Sequence, residues 1–396
     1  MGIKLTINTR QSDNIKTVQQ IDKFNSVKLH LQYDSIASTF EFDLSFDPTD
    51  RRQAEIVSVS HMHECSIYYV HARSGNHKDT NYRDVYTTDE LTITGFLLSQ
   101  GFYRSVKPKP VKVGGYSKSG ALEDSDISID KYPLESNGKT FKQIVTSILT
   151  PSPGQKGFNF GFKISPISQG TGVVFAEAQS ADESYDKSTA PESKTIKAYF
   201  TELASQKNIV LSHTPQGDLL ITSANINGKS ILDVTKIGVN GVMGYEVVYN
   251  GQGLHSQITV IRQADEDNGN AAEYTIYNPL VPIVYRPRVV SLTSGNDISI
   301  QKAARNELGN ELKAISLKVE LDRGSINSKF IFPNQILTIT DPEVFLYPKT
   351  RWLIESVDFE QDAQGEKMTL NCVLPSVYGG PVTNPFVDVD HNLPIL

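Results

Sequence analysis

Between residues 330 and 377 apolar and polar side chains alternate in runs too short for helices and broken by turn residues. That pattern admits little besides an antiparallel sheet. The runs are Ile336-Leu337-Thr338-Ile339, residues 352–359 and residues 367–374, separated by turn chemistry at Asp341-Pro342 and Gln364-Gly365. Leu353, Glu355, Val357 and Phe359 share one parity, and Met368, Leu370 and Cys372 share one, so each strand turns an apolar row to one face. The expectation is a compact meander whose last two strands form a hairpin closing a barrel or small sandwich.

The same period governs the start of the chain. Val27, Leu29, Leu31 and Tyr33 alternate, as do Phe40, Phe42, Leu44 and Phe46, and residues 56–70 read as one long strand. Residues 105–130 read as a loop-rich crossing. Helical spacing then enters with Phe141, Ile144, Val145, Ile148 and Leu149 behind a capping Thr140, and again with Ile196, Tyr199, Phe200, Leu203 and Ala204 behind Ser193 or Thr195. Residues 209–222 spell strand, turn, strand. Asn250-Gly251 predicts a hairpin between 245–249 and 254–261. A third helix follows Asp297 or Ser299, with Ile300, Ala304, Leu308 and Leu312 on one face, and Gly309 marks a break in it, at a cost of about 1 kcal/mol against Ala.

With 396 residues the chain exceeds a single ordinary core and predicts two to four domains. No apolar run approaches the roughly 18 residues that span a bilayer, and Met1-Gly2-Ile3-Lys4-Leu5 alternates like a strand and lacks the apolar core of a signal peptide, which places synthesis in a cytoplasm. Two cysteines, Cys65 and Cys372, fit a reducing compartment. A formal charge of −7, from 38 basic and 45 acidic residues, argues against a surface built to grip nucleic acid, though not against one past which nucleic acid slides.

Pro333-Asn334-Gln335, a loop, Trp352-Leu353-Ile354, an acidic hairpin with Gly365 and a strand ending in Leu374-Pro375 follow one another in an order that resembles the C-terminal signature of the baseplate hub proteins of Mu-like contractile-tail phages, akin to the late control protein D group. Three stretches upstream resemble the same family: residues 91–98, with a strand, Gly95, strand pattern; residues 115–125, with a Gly-x-Ser-x-x-Gly-x-Leu-x-Asp pattern; and the helix and hairpin of 195–222. The resemblance implies a mainly β protein with inserted α+β parts, made of two tube-like antiparallel β-barrel domains plus smaller inserted domains. Its divisions would be an N-terminal barrel over 1–104, an α+β middle region over 105–234 with helices near 140–149 and 195–206, a second barrel over 235–380 with an inserted helix near 298–312, and a Pro-rich tail over 381–396.

What the resemblance implies of function is structural and not enzymatic. Three copies would form a pseudo-sixfold ring that joins the tail tube to a separate central spike, beside baseplate wedge proteins and with the tape measure protein as a further candidate partner. DNA would pass through the lumen without specific binding during ejection, in the tail baseplate of a virion assembled in the host cytoplasm. Two other readings compete: the hub-like part of a related injection system, a tailocin or a secretion spike, and, from another class, a tail-associated cell-wall hydrolase.

The residues themselves offer weak chemistry. His61, His63 and Cys65 alternate, so on a strand both imidazoles and the thiol would share a face within reach of one ion, with His71 and His77 nearby. Gly138-Lys139-Thr140 and Gly228-Lys229-Ser230 imitate half of a phosphate loop, but Pro133 and Ser223 stand where the other glycine is needed. Glu123-Asp124 and Asp265-Glu266-Asp267 read as solvated loop charges, and the basic run from Lys107 to Lys112 is stiffened by Pro108 and Pro110 into a connector. The expectation is therefore no catalytic residue, no cofactor and no metal.

Overall fold

The computed structural model describes residues 2–10, 16–21, 24–47, 49–59, 61–72, 87–103, 110–164, 176–177, 179–185, 195–207, 209–262, 271–292, 299–379, 382 and 384–386. The first part of the chain forms β1 (Gly2–Arg10), β2 (Lys16–Ile21), β3 (Ser26–Gln32), β4 (Thr39–Leu44), a short helix α1 (Arg51–Ile56), β5 (Glu64–Ala72), β6 (Thr87–Gly101) and β7 (Val111–Ser117). The middle forms α2 (Phe141–Leu149), β8 (Phe162–Lys163), β9 (Ala176–Glu177), α3 (Ile196–Gln206), β10 (Val210–His213) and β11 (Leu219–Ser223). The remainder forms β12 (Ser230–Val234), β13 (Val242–Tyr249), β14 (Gln257–Arg262), β15 (Ala272–Tyr277), β16 (Pro287–Leu292), α4 (Ile300–Leu312), β17 (Ile315–Leu321), β18 (Ser325–Ile326), β19 (Lys329–Phe330), β20 (Ile336–Asp341), β21 (Leu346–Asp362) and β22 (Gly365–Val373).

The fold is mainly β, with large antiparallel sheets and smaller inserted parts. Both ends of the chain share one sheet, in the order β13-β17-β22-β21-β3-β4-β7-β6-β5-β1-β2, with β20 on β21 and β12 on β20. They join where β3 runs antiparallel to β21, setting Leu31 opposite Val357 and Leu29 opposite Phe359. A continuous apolar cluster lies under this seam and includes Val27, Leu29, Phe42, Tyr69, Trp352, Phe359 and Leu370. Each such side chain stabilises the fold by about 1.5–3 kcal/mol on burial.

One inserted part has a core of its own, and the other joins the main apolar cluster through Ile258, Val260, Ala304 and Leu308. Around α2 and α3, Phe141, Val145, Phe200 and Leu203 pack on Leu219 and Ile221 of the sheet formed by β10, β11, β8 and β9. The other insert is the sheet β15-β14-β16 with α4 packed against it. Helices α2, α3 and α4 begin where side-chain oxygens satisfy the free backbone donors of a helix end. Thr140 and Gln143 form a capping box on α2, Thr195 accepts from Ala198 on α3, and Ser299 accepts from Lys302 on α4.

The meander β20-β21-β22 forms as its pattern dictates, with one change. A bulge between Ile354 and Ser356 leaves Glu355 without a partner across the ladder and reverses the parity of β21. Trp352 and Ile354 before the bulge, and Val357 and Phe359 after it, face the main core; Leu353 packs on the other side with Tyr33, Ile336 and Val373.

Other expectations are corrected. The presumed long strand over 56–70 starts only at Glu64, because residues 51–56 form α1 and Met62 turns the chain with a φ of 43°. The crossing over 105–130 contains β7, which bridges β4 and β6. Asn250-Gly251 does not close a hairpin: β13 pairs with β17, β14 belongs to the separate three-stranded sheet, and Asn250 starts a 3-10 turn by accepting from the Gln252 amide. Nor does Gly309 break α4. A Cβ there would lie 2.5 Å from the carbonyl oxygen of Val377, so the glycine lets the backbone after β22 press against the helix.

Candidate functional site

The His61, His63 and Cys65 triad does not assemble. Because β5 begins at Glu64, the two histidines lie in the turn before it, with rings stacked 5.3 Å apart. Ser58 Oγ bonds His61 Nδ1 at 2.8 Å, and His63 Nε2 bonds the Glu55 carbonyl at 3.0 Å. Burial holds His63 below the usual imidazole range. Cys65 faces the core, and burial pushes its thiol up, the reverse of what a nucleophile or metal ligand needs. His71 is buried against Glu90, with Nε2 2.6 Å from Oε2, and the same oxygen accepts from the Phe330 amide at 2.8 Å. Among the described residues no three His, Cys, Asp or Glu side chains converge on a possible ion, and no helix is long and apolar enough to cross a membrane. His77, Asp265-Glu266-Asp267 and Lys107 to Lys109 lie outside the described residues.

The phosphate-loop fragments have ordinary roles. Thr140 caps α2, and Ser230 Oγ donates to the Leu232 carbonyl and meets Thr338 Oγ1 at 3.0 Å. Glu123 pairs with Lys197, and Asp124 accepts from the Tyr116 hydroxyl at 2.7 Å.

What the topology does assemble is a broad polar face. Opposite the core side of the sheet, β13, β17, β22, β21, β3, β4 and β7 present Glu246, Lys318, Glu320, Lys367, Asp358, Glu360, Lys28, His30, Glu41, Asp43 and Lys112. Register sets Lys367, Glu360, Lys28 and Glu41 in one cross-strand row of alternating sign. Among the described residues the lysines of this face are paired: Lys28 with Glu360 at 2.7 Å, Lys112 with Glu41 at 3.0 Å, Lys318 with Glu320 at 2.9 Å and Lys367 with Glu320 at 3.8 Å. Carboxylates outnumber lysines among these residues, and each of these lysines already has a carboxylate partner.

Beside this face a second polar group ties α4 to the seam. Lys313 Nζ lies 3.0 Å from Asp34 and 2.7 Å from Glu355, the residue displaced by the bulge, and the Tyr378 hydroxyl donates to Asp34 at 3.0 Å or Glu355 at 2.6 Å. Nothing in the sequence pairs these four, which lie up to 344 positions apart. Edge strand β13 carried a readable signal instead. Val242-Met243-Gly244-Tyr245-Glu246-Val247-Val248-Tyr249 has a single charge, and Met243, Val248 and Tyr249 are exposed, so the edge lacks the charges that usually protect one.

No family profile matches the sequence, and no curated protein matches it. Solved structures do. The 43 kDa tail protein of prophage MuSo2 from Shewanella oneidensis superposes with a TM-score of 0.69 over 96% of this chain and 99% of that one, at 16% identity. The chain has the fold of a prophage tail protein. The tail protein from Neisseria meningitidis MC58 superposes at 0.65 over 96% and 98%, with 13% identity. Prophage tail protein gp18 from Listeria monocytogenes EGD-e does so at 0.56 over 93% and 94%, with 11% identity. The resemblance read from the sequence is thus borne out at the level of fold.

Proposed function

We propose that this chain is a structural, non-enzymatic subunit of the baseplate hub of a contractile phage tail. Three copies close a ring around the DNA channel and join the tail tube to the central spike, with wedge proteins outside. The observation that carries this reading is the end-to-end match in fold with a prophage tail protein, 96% of one chain on 99% of the other.

Two features support it physically. The main sheet has unlike free edges, β13 and β2 among them, and a contact between unlike surfaces closes into a ring when its rotation allows. The polar face, with its lysines neutralised, suits a wall past which a polyanion slides. The test is the mass of the purified chain by light scattering at several concentrations, with negative-stain imaging. Three times 43.8 kDa and a ring with a central hole are expected. A monomer at every concentration that also degrades peptidoglycan would overturn the reading in favour of a hydrolase.

A further inference from the structure

The two halves of the main sheet repeat one design. In the first, β3, β4, β7, β6 and β5 lie side by side; in the second, β13, β17, β22, β21 and β20 do, and every neighbouring pair is antiparallel. Counted along the chain, each half therefore sets its strands in the order first, second, fifth, fourth, third. The fourth strands share an irregularity as well. A bulge leaves Leu98 of β6 and Glu355 of β21 without a partner across the ladder. Just before it the Leu97 amide donates to the His63 carbonyl at 2.9 Å, as the Ile354 amide donates to that of Gln335 at 2.8 Å. Followed across the ladders, the registers equate Gln100, Gly101 and Phe102 with Val357, Asp358 and Phe359, and Val247, Val248 and Tyr249 with Leu29, His30 and Leu31.

Beyond the bulge the halves differ in what they meet. Residues 356–361 of β21 take β3 on the flank away from β22, and this is the seam between the halves. Residues 99–101 of β6 pair with β7 on one flank, and among the described residues no strand lies on the other. The first strand of the second half is equally bare: β13 pairs with β17 and, among the described residues, has no strand on its outer side. Burial follows the pairing. Phe359 and Leu31 are 0% and 1% exposed in the seam, whereas their counterparts Phe102 and Tyr249 are 48% and 47% exposed. Each chain thus carries both sides of the seam a second time, unjoined.

We infer that β13 of one copy of this chain pairs antiparallel with residues 99–103 of a second copy, in the register of the internal seam: Tyr249 opposite Gln100, Val248 opposite Gly101 and Val247 opposite Phe102. An edge strand with a single charge is a template for such pairing, and the backbone groups of both flanks gain partners from it. Burial of Phe102 and Tyr249 adds apolar area at the centre of the contact. Charge permits it, because residues 99–103 carry none and the one charge of β13, Glu246, falls opposite Tyr103. The contact joins unlike surfaces, so it repeats head to tail, and internal seams then alternate with contacts between copies. Its closure at three copies rests on the hub reading proposed above.

The test uses the full chain carrying Gly101→Cys and Val248→Cys together. Both positions are exposed, and a Cβ on Gly101 would meet only ordinary contact, 3.7 Å from Lys112 Cβ. Residues opposite each other on paired strands lie within disulfide reach, and the native Cys65 and Cys372 are buried. Under mild oxidation a covalent species of three times 43.8 kDa is expected on non-reducing gels. An equimolar mixture of the two single variants should give covalent dimers. Gly101→Cys with Glu246→Cys, two positions out of register, should cross-link at least roughly tenfold less. Phe102→Asp should raise the concentration needed for assembly at least roughly tenfold, with the circular dichroism of the chain unchanged. A ring of three by light scattering with no cross-link between positions 101 and 248 would overturn this contact and leave the hub reading standing. Cross-linked open filaments in place of closed trimers would uphold the contact and overturn the ring. A monomer at every concentration would overturn both.

Discussion

His30 and Asp358 face each other across the β3–β21 seam at 2.6 Å. The hydrogen bond to Asp358 raises the pKa of His30 above 6.5, and the same bond lowers that of Asp358 below 3.8. A raised histidine contributes stability that is complete below pH 6.5 and fades as pH climbs through the folded value; a lowered carboxylate contributes above 3.8 and fades as pH falls through its folded value. The pair is therefore strongest between the two and weakens upward from pH 6.5. Because both side chains are about two-fifths exposed, its worth is under about 1 kcal/mol. In urea melts from pH 6 to 8, His30→Gln should remove a stability contribution that falls with rising pH, set against the opposite trend from His63 and His213, whose pKa values burial lowers; parallel curves would remove the pair from the account. Lys313 matters more. Burial raises the Asp34 carboxyl, but the Lys313 charge and the hydrogen bonds from Gln32, Lys313 and Tyr378 outweigh it, so its pKa is lowered on balance. Lys313→Ala leaves Asp34 and Glu355 mutually repelling and partly buried, and should cost about 1–3 kcal/mol, partly restored by adding Asp34→Asn.

At the scale of elements, glycines decide how closely strands and helices approach. A Cβ on Gly95 would lie 2.0 Å from the Tyr116 carbonyl oxygen, and one on Gly115 would lie 1.8 Å from that of Phe96. These residues therefore hold β6 against β7 at a spacing no side chain permits. Gly95→Ala should cost about 1–3 kcal/mol or more in thermal or urea unfolding, whereas Gly244→Ala on edge strand β13, where a Cβ meets nothing within 4 Å, should stay within about 0.5 kcal/mol. Gly309→Ala is a sharper case. Helix propensity favours alanine by about 1 kcal/mol, yet the clash with Val377 should make the variant less stable. A stabilised Gly309→Ala protein would mean that the segment after β22 does not rest on α4.

For the whole molecule the property that matters is the paired charge pattern of the polar face. Glu360 and Glu41 flank Lys28 across three strands. Changing both carboxylates to lysine, Glu41→Lys with Glu360→Lys, touches only exposed positions and should leave folding and assembly mass unchanged. It should create a basic row that binds duplex DNA in a salt-dependent way. Fluorescence anisotropy at about 50 and 200 mM salt is the measurement. Tight binding by the unchanged protein would contradict a wall that lets DNA slide.

Local pattern determined much of this protein by itself. The alternation in β3, β4 and β22, the helical faces of α2, α3 and α4, and the cap at Thr140 were legible because each depends on residues within a few positions of one another, whereas the choices between Ser193 and Thr195 and between Asp297 and Ser299 stayed open until the structure. The order of the motifs along the chain carried the family likeness, which the fold then bore out. Only the tertiary structure could decide the rest. The partner of β13, the β3–β21 seam, the bulge at Glu355 and the group around Lys313 join residues up to hundreds of positions apart, and two-residue alternation names a buried face without naming the strand beside it. For the same reason His61, His63 and Cys65 looked like a site in sequence and were not one in space: alternation holds only inside a strand, and the strand starts one residue after His63.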